Sequence, residues 1–299
     1  MRHSGNILIT GVTSIHGWPI FSCFREKYGF RVHGVCPHKT ADHFTGDEKV
    51  WCGDVENFSE METIFKKVRP EAVVHAGGVC DLDMCEEDPG FAYEVNVVGA
   101  RNIARLAKDR YLLYISSDLV FSGDDPPEEG YREACGRDPV SVIGKTYAAA
   151  EDEISKHMTR GILRLGLPIG ASISGAKGAI DFIAKRLSGS RKMTLFHDEV
   201  RSLITTEDLA EGVMNFFDRR GQGVFHLGGP EEYSLYDIGA YLVAARGYPK
   251  ECLVGASRLD EKNGPPRIGR VTLDSAKFYG FTGFTPSAAL PKSQGKGYK

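Results

Sequence analysis

Short apolar runs alternate with segments of helical spacing along the first 165 residues of this 299-residue chain. After each run, apolar residues recur every three or four positions, as in an amphipathic helix. Repeated alternation of strands and helices predicts an α/β fold built on a doubly wound parallel sheet. The predicted strands are Asn6–Thr10, Arg31–Val35, Val50–Cys52, Ala72–His75 and Tyr111–Ser116.

The first strand runs into a turn with the sequence T-G-V-T-S-I-H-G over residues 10–17. In a parallel sheet, such a turn presents backbone N–H groups and a helix N-terminus to a pyrophosphate. Gly11 permits the sharp turn and Gly17 lets the helix pack closely. Ser14 places a Cβ where glycine would let phosphate approach, although its hydroxyl could donate a hydrogen bond instead. We expect these residues, with Ile15 and His16, to contact a dinucleotide.

The ends of the next strands bear on the choice of dinucleotide. An acid just past the second strand would accept from the ribose hydroxyls of NAD, whereas basic residues suit the 2′-phosphate of NADP. This strand runs into His38 and Lys39, and the first acid is Asp42. The pattern favours NADP(H), with NAD(H) as the alternative if both basic residues are ordinary surface residues. Asp54, past the third strand, is expected to accept from the adenine amino group.

Small residues follow the fourth strand, in the sequence Ala76-Gly77-Gly78. Without bulky side chains, this turn lets the sugar and phosphates of a cofactor pass close to the backbone. We therefore add these three residues to the predicted cofactor site.

Composition restricts the class of protein. A hydrophobic content of 41% supports a sizeable core, and a net charge of −3 with a pI near 6.3 argues against a nucleic-acid or membrane-surface partner. The first strand begins too early to leave room for a signal peptide's apolar core. Seven cysteines without C-x-x-C spacing argue for a reducing compartment and against a zinc site. We expect a cytoplasmic protein without a metal.

The order of several motifs resembles the extended short-chain dehydrogenase/reductase family, and most closely its dTDP-4-dehydrorhamnose reductase branch. The resemblance extends to about residue 285 and implies a Rossmann-type fold with a smaller C-terminal substrate-binding lobe. The matching segments are Thr10–Gly17, Asp54–Val55, His75–Gly78, Cys85–Glu86, Asn96–Val97, Ile115–Gly123, Ile162–Leu165, Gly223–Gly229 and Leu273–Lys277. By this resemblance Val55, Asn96 and Ser116 join the predicted cofactor contacts.

The pattern and the resemblance together divide the chain into two lobes and a tail. Residues 1–165 form the NAD(P)-binding domain, to which residues 200–230 are expected to return. Residues 166–199 and 231–285 form the substrate-binding lobe. Residues 286–299, poor in bulky apolar side chains, are expected to be a flexible tail.

The catalytic residues of the family are partly replaced in this chain. In the family, a tyrosine gives the proton to the substrate carbonyl, and a lysine four residues later lowers its pKa. The aligned positions hold Ile143 and Tyr147, so that Ser117 is retained alone. Tyr147 lies one helical turn from Ile143 on the same face and is expected to bind the ribose. It is a poor acid, because an unassisted phenol titrates near pH 10.

Other groups could supply the proton or hold the substrate. Asp81 and Asp83 lie two residues apart after the fourth strand, where nearby carboxylates can divide acid and base roles; the alternative is that they are solvated or cap a helix. By the resemblance Arg201 contacts the phosphates of a nucleotide sugar, with Arg267 or Arg270 as a second cation. The alternative for Arg201 is an ion pair with Asp198 or Glu199.

Two functions are compatible with these residues, and a third is weaker. The first, which the sequence favours because the cofactor and substrate frames are preserved over the whole length, is an NADP(H)-dependent reductase of a nucleotide-linked keto-sugar or similar carbonyl compound, with an atypical proton donor. The second is an inactive NAD(P)-binding regulatory subunit, since the same branch includes the regulatory β subunit of methionine adenosyltransferase. The third is a non-redox lyase or cyclase that uses the Asp81 loop. The sequence leaves open whether the protein is a homodimer.

Overall fold

The computed structural model describes residues 4–170, 172–173, 178–262 and 264–290. The strands are β1 (Asn6–Thr10), β2 (Val32–Cys36), β3 (Val50–Cys52), β4 (Pro70–His75), β5 (Tyr111–Ser117), β6 (Arg160–Leu165), β7 (Leu167–Ile169), β8 (Met193–Phe196), β9 (Val200–Thr205), β10 (Gly223–Leu227), β11 (Glu232–Ser234), β12 (Leu253–Ala256) and β13 (Arg270–Val271). The α-helices are α1 (Gly17–Tyr28), α2 (Phe58–Val68), α3 (Leu82–Glu87), α4 (Pro89–Tyr93), α5 (Gly99–Leu106), α6 (Val142–Ser155), α7 (Ala179–Ser188), α8 (Thr206–Asp218), α9 (Leu235–Arg246) and α10 (Ala276–Thr282).

Seven parallel strands form the main sheet in the order β10-β6-β5-β4-β1-β2-β3. The chain winds outward in one direction from β1 and in the other from β4, so the two strands flank the point where the winding reverses. Open parallel sheets bind ligands in the crevice at the carboxyl ends of such strands. The predicted doubly wound α/β fold is confirmed.

Helices cover both faces of this sheet, which explains why its strands are apolar at nearly every position. In β1, Leu8 faces the core under α2, α5 and α6, whereas Ile7 and Ile9 face the core under α1, α8 and α10. All three side chains are at most 1% exposed. A strand buried on both sides cannot shift its register without exposing apolar surface, so β1 fixes the position of the turn that follows it.

A long helical stretch that begins at Pro89 is interrupted. It consists of α4, a π-helical segment at Glu94–Val98 and α5, which ends at Leu106. Insertions of this kind often occur at functional sites, because they turn a side chain out of the regular helical register. Here the segment contains the buried Asn96, which lies in the crevice region.

A second lobe adjoins the carboxyl edge of the main sheet. β7, β9, β11 and β13 form one small sheet, and β8 pairs with β12. α7 and α9 pack over an apolar cluster that includes Leu195, Leu203 and Ile238. Of the predicted returning segment 200–230, α8 and β10 lie on the main sheet, but β9 belongs to the second lobe.

The beginning of the predicted tail is packed against the molecule. The backbone N–H of Ser287 donates to the Asp208 carboxylate at 2.8 Å. Leu290 is only 4% exposed and belongs to the core of the second lobe. The rest of the predicted tail, residues 291–299, lies outside the described residues. Among the helices that the structure describes, none is both long and apolar enough to cross a membrane.

We expect Phe24→Ala to lower the free energy of unfolding by about 3–5 kcal/mol, because it leaves a cavity between α1 and α8. Phe24 is fully buried, and its ring centroid lies 5.0 Å from that of Phe217. Phe30→Ala is the control: Phe30 is 79% exposed, so its loss should change stability by less than about 0.5 kcal/mol. Urea denaturation would measure both, and equal effects would contradict this account of the core.

Candidate functional site

The turn after β1 has the close packing that its glycines predict. Gly11 has a φ of +72°, and a Cβ there would lie 2.5 Å from the carbonyl oxygen of Ala76. A Cβ at Gly17 would lie 2.1 Å from the carbonyl oxygen of Gly11. Ile15, also predicted to contact the cofactor, is buried. The turn therefore brings α1 against β1 and β4 as a pyrophosphate site requires.

Ser14 changes this turn by using its own hydroxyl. The Ser14 Oγ accepts from the backbone N–H of Gly17 at 2.8 Å and has a longer contact, 3.4 Å, to the carbonyl oxygen of Ala76. The side chain thus takes one N–H that a helix N-terminus usually offers to an anion. Its hydroxyl proton, held only by the longer contact, remains able to turn toward a phosphate.

Two histidines, His16 in this turn and His75 at the end of β4, are uncharged near neutral pH. Burial lowers the pKa of His75 to about 3. Its Nδ1 lies 2.6 Å from the Thr10 hydroxyl, and its buried Nε2 has no hydrogen-bond partner in the part of the chain that is described. Burial, with a smaller contribution from the positive charge of Arg201, lowers the pKa of His16 to about 4. His16 therefore cannot act as a cationic acid at pH 7.

The two serines at the end of β5 have different surroundings. Ser117 accepts from the backbone N–H of Leu119 at 3.2 Å and donates to Asp118 at 3.2 Å. Ser116 donates to Glu151 at 2.6 Å in the protein interior. Ser116 was predicted to contact the cofactor, but its side chain holds α6 against the sheet. Of these two serines, only Ser117 lies near the crevice.

Tyr147 is buried beside the turn after β4. Its side chain is 7% exposed, and a Cβ at Gly78 would lie 3.2 Å from its hydroxyl. Burial raises the pKa of Tyr147 well above 10, and the neighbouring Cys80 and Cys85 act in the same direction. Ile143, one turn earlier, is fully buried in the core. This environment disfavours the phenolate, so Tyr147 is a weaker acid than a free phenol.

Asn96 supports the loop after β4. Its Oδ1 accepts from the backbone N–H of Val79 at 2.7 Å, while its Nδ2 donates to the Val79 carbonyl at 3.2 Å and to Thr146 at 2.9 Å. This amide therefore joins the loop to α6. Val55, the other contact implied by the resemblance, is buried against Gly99 of α5.

The residues expected at the adenosine end form a charged group. The exposed His38 places Nε2 3.1 Å from the Glu60 carboxylate, which also accepts from the backbone N–H of Asp54 at 3.0 Å. Oxygen and nitrogen atoms of these three residues lie within 4.8 Å of one another, close enough to share a cation. Lys39 lies with its Nζ 5.5 Å from the ring centroid of Phe91. Sequence reasoning missed Glu60, although its position three residues after Asn57 marks the start of α2.

The two acids after β4 do not act as a pair. The Asp81 carboxylate caps α3 and accepts from the backbone N–H of Met84 at 2.9 Å. Asp83 lies in the first turn of that helix and faces a cavity in the second lobe. The Asp81 carboxylate is therefore a helix cap, which was the alternative to a catalytic role. Asp81 and Asp83 do not form a shared acid and base site.

Arg201 is held in a buried ion pair. Its Nε lies 2.6 Å from Asp118, and its Nη2 makes a second contact with the same carboxylate. The ion-pair partner of Arg201 is therefore Asp118 and not Asp198 or Glu199, the two partners considered from the sequence. Asp118 lies in the I-S-S-D segment that carried the resemblance, but only the fold brings it to β9. A bidentate pair of this kind leaves little of the guanidinium for a substrate phosphate.

Arg267 lies at the edge of a cavity of about 270 Å³ in the second lobe. Its guanidinium carbon lies 4.8 Å from the Phe196 ring centroid, and its Nη1 lies 3.2 Å from Glu199. The Arg267 Nε is buried without a partner among the described residues. Burial raises the pKa of Glu199, although Arg267 and Arg201 oppose the shift. The cavity lining is Asp83, Ala179, Phe182, Ile183, Arg186, Met193, Thr194, Leu195, Phe196, Leu235 and Arg267.

The strand order, the glycine turn and the second lobe at the carboxyl edge define a protein of the extended short-chain dehydrogenase/reductase class. Within that class, the chain belongs to the RmlD substrate binding domain family, whose model matches residues 5–288. The resemblance inferred from the motifs is confirmed.

Two relatives carry different descriptions. The chain is 26% identical over 284 residues to methionine adenosyltransferase 2 subunit beta of Xenopus laevis, covering 92% of this chain and 81% of the relative. It is 31% identical over 162 residues to dTDP-4-dehydrorhamnose reductase of Escherichia coli, covering 53% and 50%. A crystal structure of the Bacillus anthracis dTDP-4-dehydrorhamnose reductase in complex with NADP has a TM-score of 0.79 and 18% identity, covering 96% of each chain.

We expect Arg201→Met to lower the free energy of unfolding by about 3–5 kcal/mol, because it leaves the buried Asp118 carboxylate without its cation. The double variant Asp118→Leu/Arg201→Met should recover at least half of that loss. The control is Arg270→Met at the exposed Arg270–Glu232 pair, which should cost less than about 1 kcal/mol. Denaturant titrations would measure all three, and a double variant no more stable than Arg201→Met would contradict a buried pair.

The low pKa of His75 predicts acid lability. In the unfolded chain a histidine titrates near pH 6.5, so between about pH 6.5 and 3 the unfolded state binds more protons and stability falls as the pH is lowered. His75→Gln should reduce the slope of unfolding free energy against pH between 6 and 4 by up to about 1.4 kcal/mol per unit. The exposed His43→Gln is the control, and equal slopes in both variants would contradict this assignment.

Proposed function

We propose that this protein binds an NAD(P) dinucleotide in its crevice but does not reduce a keto-sugar, and that it works as a nucleotide-binding regulatory subunit. The observation that carries the proposal is the pair of buried residues, Ile143 and Tyr147, at the two positions where the family has its proton donor and the cation that activates it.

Reduction of a carbonyl group requires a hydride from the cofactor and a proton from the protein or water. Ser117 can polarise the carbonyl but is a very weak acid, and its hydroxyl already donates to Asp118. His16 and His75 are uncharged at neutral pH because burial lowers the pKa of each. Loss of a general acid typically costs about 10²–10⁴ in rate, so turnover should be slow at best.

The groups that support binding are better preserved than those that support turnover. Gly11 and Gly17 keep the close approach of the pyrophosphate turn. Asp83 of α3 and Arg267 of the second lobe line one largely apolar cavity, which suits a ligand with an anionic part and a planar or apolar part. We infer a nucleotide-linked small molecule there, and Arg267 rather than Arg201 as its phosphate contact.

The regulatory role rests on the relatives. The similarity to methionine adenosyltransferase 2 subunit beta extends over 92% of the chain, whereas that to the Escherichia coli reductase covers 53%. A catalytic methionine adenosyltransferase subunit is therefore the first partner to test.

The reductase remains the second candidate, since Ser117 lies at the end of β5 and the second lobe retains a cavity beside Asp83. Its substrate would be a nucleotide-linked keto-sugar or a similar carbonyl compound. A lyase or cyclase is less well supported, because the Asp81 carboxylate caps α3 and is not available as an acid or base.

The test compares dinucleotide binding with turnover. The purified protein should bind NAD⁺ or NADP⁺ in calorimetry, yet oxidise NADH and NADPH at the background rate with 4-keto nucleotide sugars. The double variant Ile143→Tyr/Tyr147→Lys restores a phenol with a cation one helical turn away, and we expect it to gain at least tenfold over that background.

The matched control is Lys145→Ala, an exposed position on the same helix, which should change neither binding nor turnover. Wild-type oxidation well above background would support the reductase instead. Failure to bind either dinucleotide would contradict the proposal.

A further inference from the structure

We propose that Glu60, acting through His38, makes this site selective for a dinucleotide with a free 2′-hydroxyl, which means NAD(H) rather than NADP(H). The inference rests on the proposed dinucleotide site and specifies its ligand. It departs from the preference for NADP(H) that His38 and Lys39 suggested in the sequence, because the fold gives both side chains partners.

Glu60 is a fixed negative charge at this end of the crevice. One carboxylate oxygen accepts from the backbone N–H of Asp54 at 3.0 Å and contacts His38 at 3.1 Å. The other accepts from the Asn57 amide at 2.9 Å. The N–H of Asp54, with a smaller effect of His38, lowers the pKa of Glu60, so that the carboxylate is ionised at neutral pH. These contacts hold a side chain that would otherwise be mobile on the surface.

The contact with Glu60 decides what His38 can offer to a ribose. A carboxylate has no proton to donate, so in the neutral imidazole the proton lies on Nε2, and Nδ1 is left as an acceptor. In this fold the ribose 2′-hydroxyl of a bound dinucleotide lies just past the second strand. In this chain β2 ends at Cys36, two residues before His38. His38 can therefore accept from a hydroxyl there, as an acidic residue does in other NAD sites. A phosphate offers no such donor in its dianionic form.

The charge of Lys39 is partly offset by acidic neighbours. Its Nζ lies over the Phe91 ring. Burial and the negative charges of Asp54 and Glu60 raise the pKa of the neighbouring Glu56, and the positive charge of Lys39 opposes that shift. The carboxylates of Asp54, Glu56 and Glu60 thus lie close enough to interact with one another, and Lys39 offsets part of their charge. Their field repels the roughly two negative charges of a phosphate monoester.

The size of the effect follows from Coulomb's law. Repulsion between two unit charges about 4 Å apart in water changes a dissociation constant about fivefold, and a dianion changes it by the square of that factor. Because Glu60 is partly exposed, solvent and salt reduce it. We therefore expect the wild-type protein to bind NAD⁺ about tenfold more tightly than NADP⁺ at low ionic strength.

The experiment is a calorimetric titration of the full chain with NAD⁺, NADP⁺, ADP-ribose and 2′-phospho-ADP-ribose, with EDTA present so that no cation bridges a phosphate to the carboxylates. Glu60→Gln removes the charge, while its amide oxygen can still accept from the backbone N–H of Asp54 and from His38. This variant should reduce the selectivity for the 2′-hydroxyl ligands to about threefold or less, chiefly by tightening the 2′-phosphorylated ones.

The matched control is Glu62→Gln, which removes an acid that pairs with Lys66 on the same helix. It should leave the selectivity of the wild type unchanged, and thermal unfolding would confirm that both variants are folded. Equal or tighter binding of NADP⁺ by the wild type would overturn the inference while leaving dinucleotide binding intact. Unchanged selectivity in Glu60→Gln would also overturn it. Absence of binding by all four ligands would overturn the proposed function, and the selectivity with it.

Discussion

The crevice depends on a carboxylate buried under it. Glu151 of α6 accepts from both Nε and Nη2 of Arg164 in β6, at 2.9 and 2.8 Å, and from the Ser116 hydroxyl at the end of β5. Both charged side chains are at most 5% exposed, so removing Glu151 would leave the buried Arg164 guanidinium without its carboxylate, whereas Glu151 has a second contact with Arg137 at 3.3 Å. This pair fixes the position of α6 against the two strands. It thereby fixes the positions of Ile143, in the core, and of Tyr147, beside the turn after β4.

A second buried ion pair joins the main sheet to the second lobe. Asp118, directly after β5, is held by Arg201 of β9, so the main sheet and the second lobe share one ion pair. The two pairs preserve the frame of a reductase while the reacting groups within it have changed. The buried charges that maintain the geometry are thus separate from Ile143 and Tyr147, the two side chains on which the proposed loss of turnover rests.

The same separation applies to the cofactor end. The turn at Gly11 and Gly17 is a backbone feature, and any side chain larger than hydrogen at those positions would meet a carbonyl oxygen. The features that choose between cofactors are side chains at the surface, and here His38 and Glu60 contact each other across two elements. Binding of a dinucleotide and selection of its 2′-substituent therefore depend on different parts of the molecule.

The sequence alone determined the parallel sheet and the glycine turn, because these depend on local patterns of apolar residues and on fixed spacings. The replacement of the family's Tyr/Lys pair by Ile143 and Tyr147 stays a prediction from the resemblance. It could not give the partners of Arg201, Ser116 or His38, since each contact joins residues far apart in the chain. Asp118 and Arg201, for example, are 83 residues apart. The spacing of the two acids Asp81 and Asp83 allowed either a shared acid and base site or a helix cap. Because α3 begins between them, Asp81 caps the helix and Asp83 lies in its first turn. Only the tertiary structure decides which charges are already paired and which remain for a ligand.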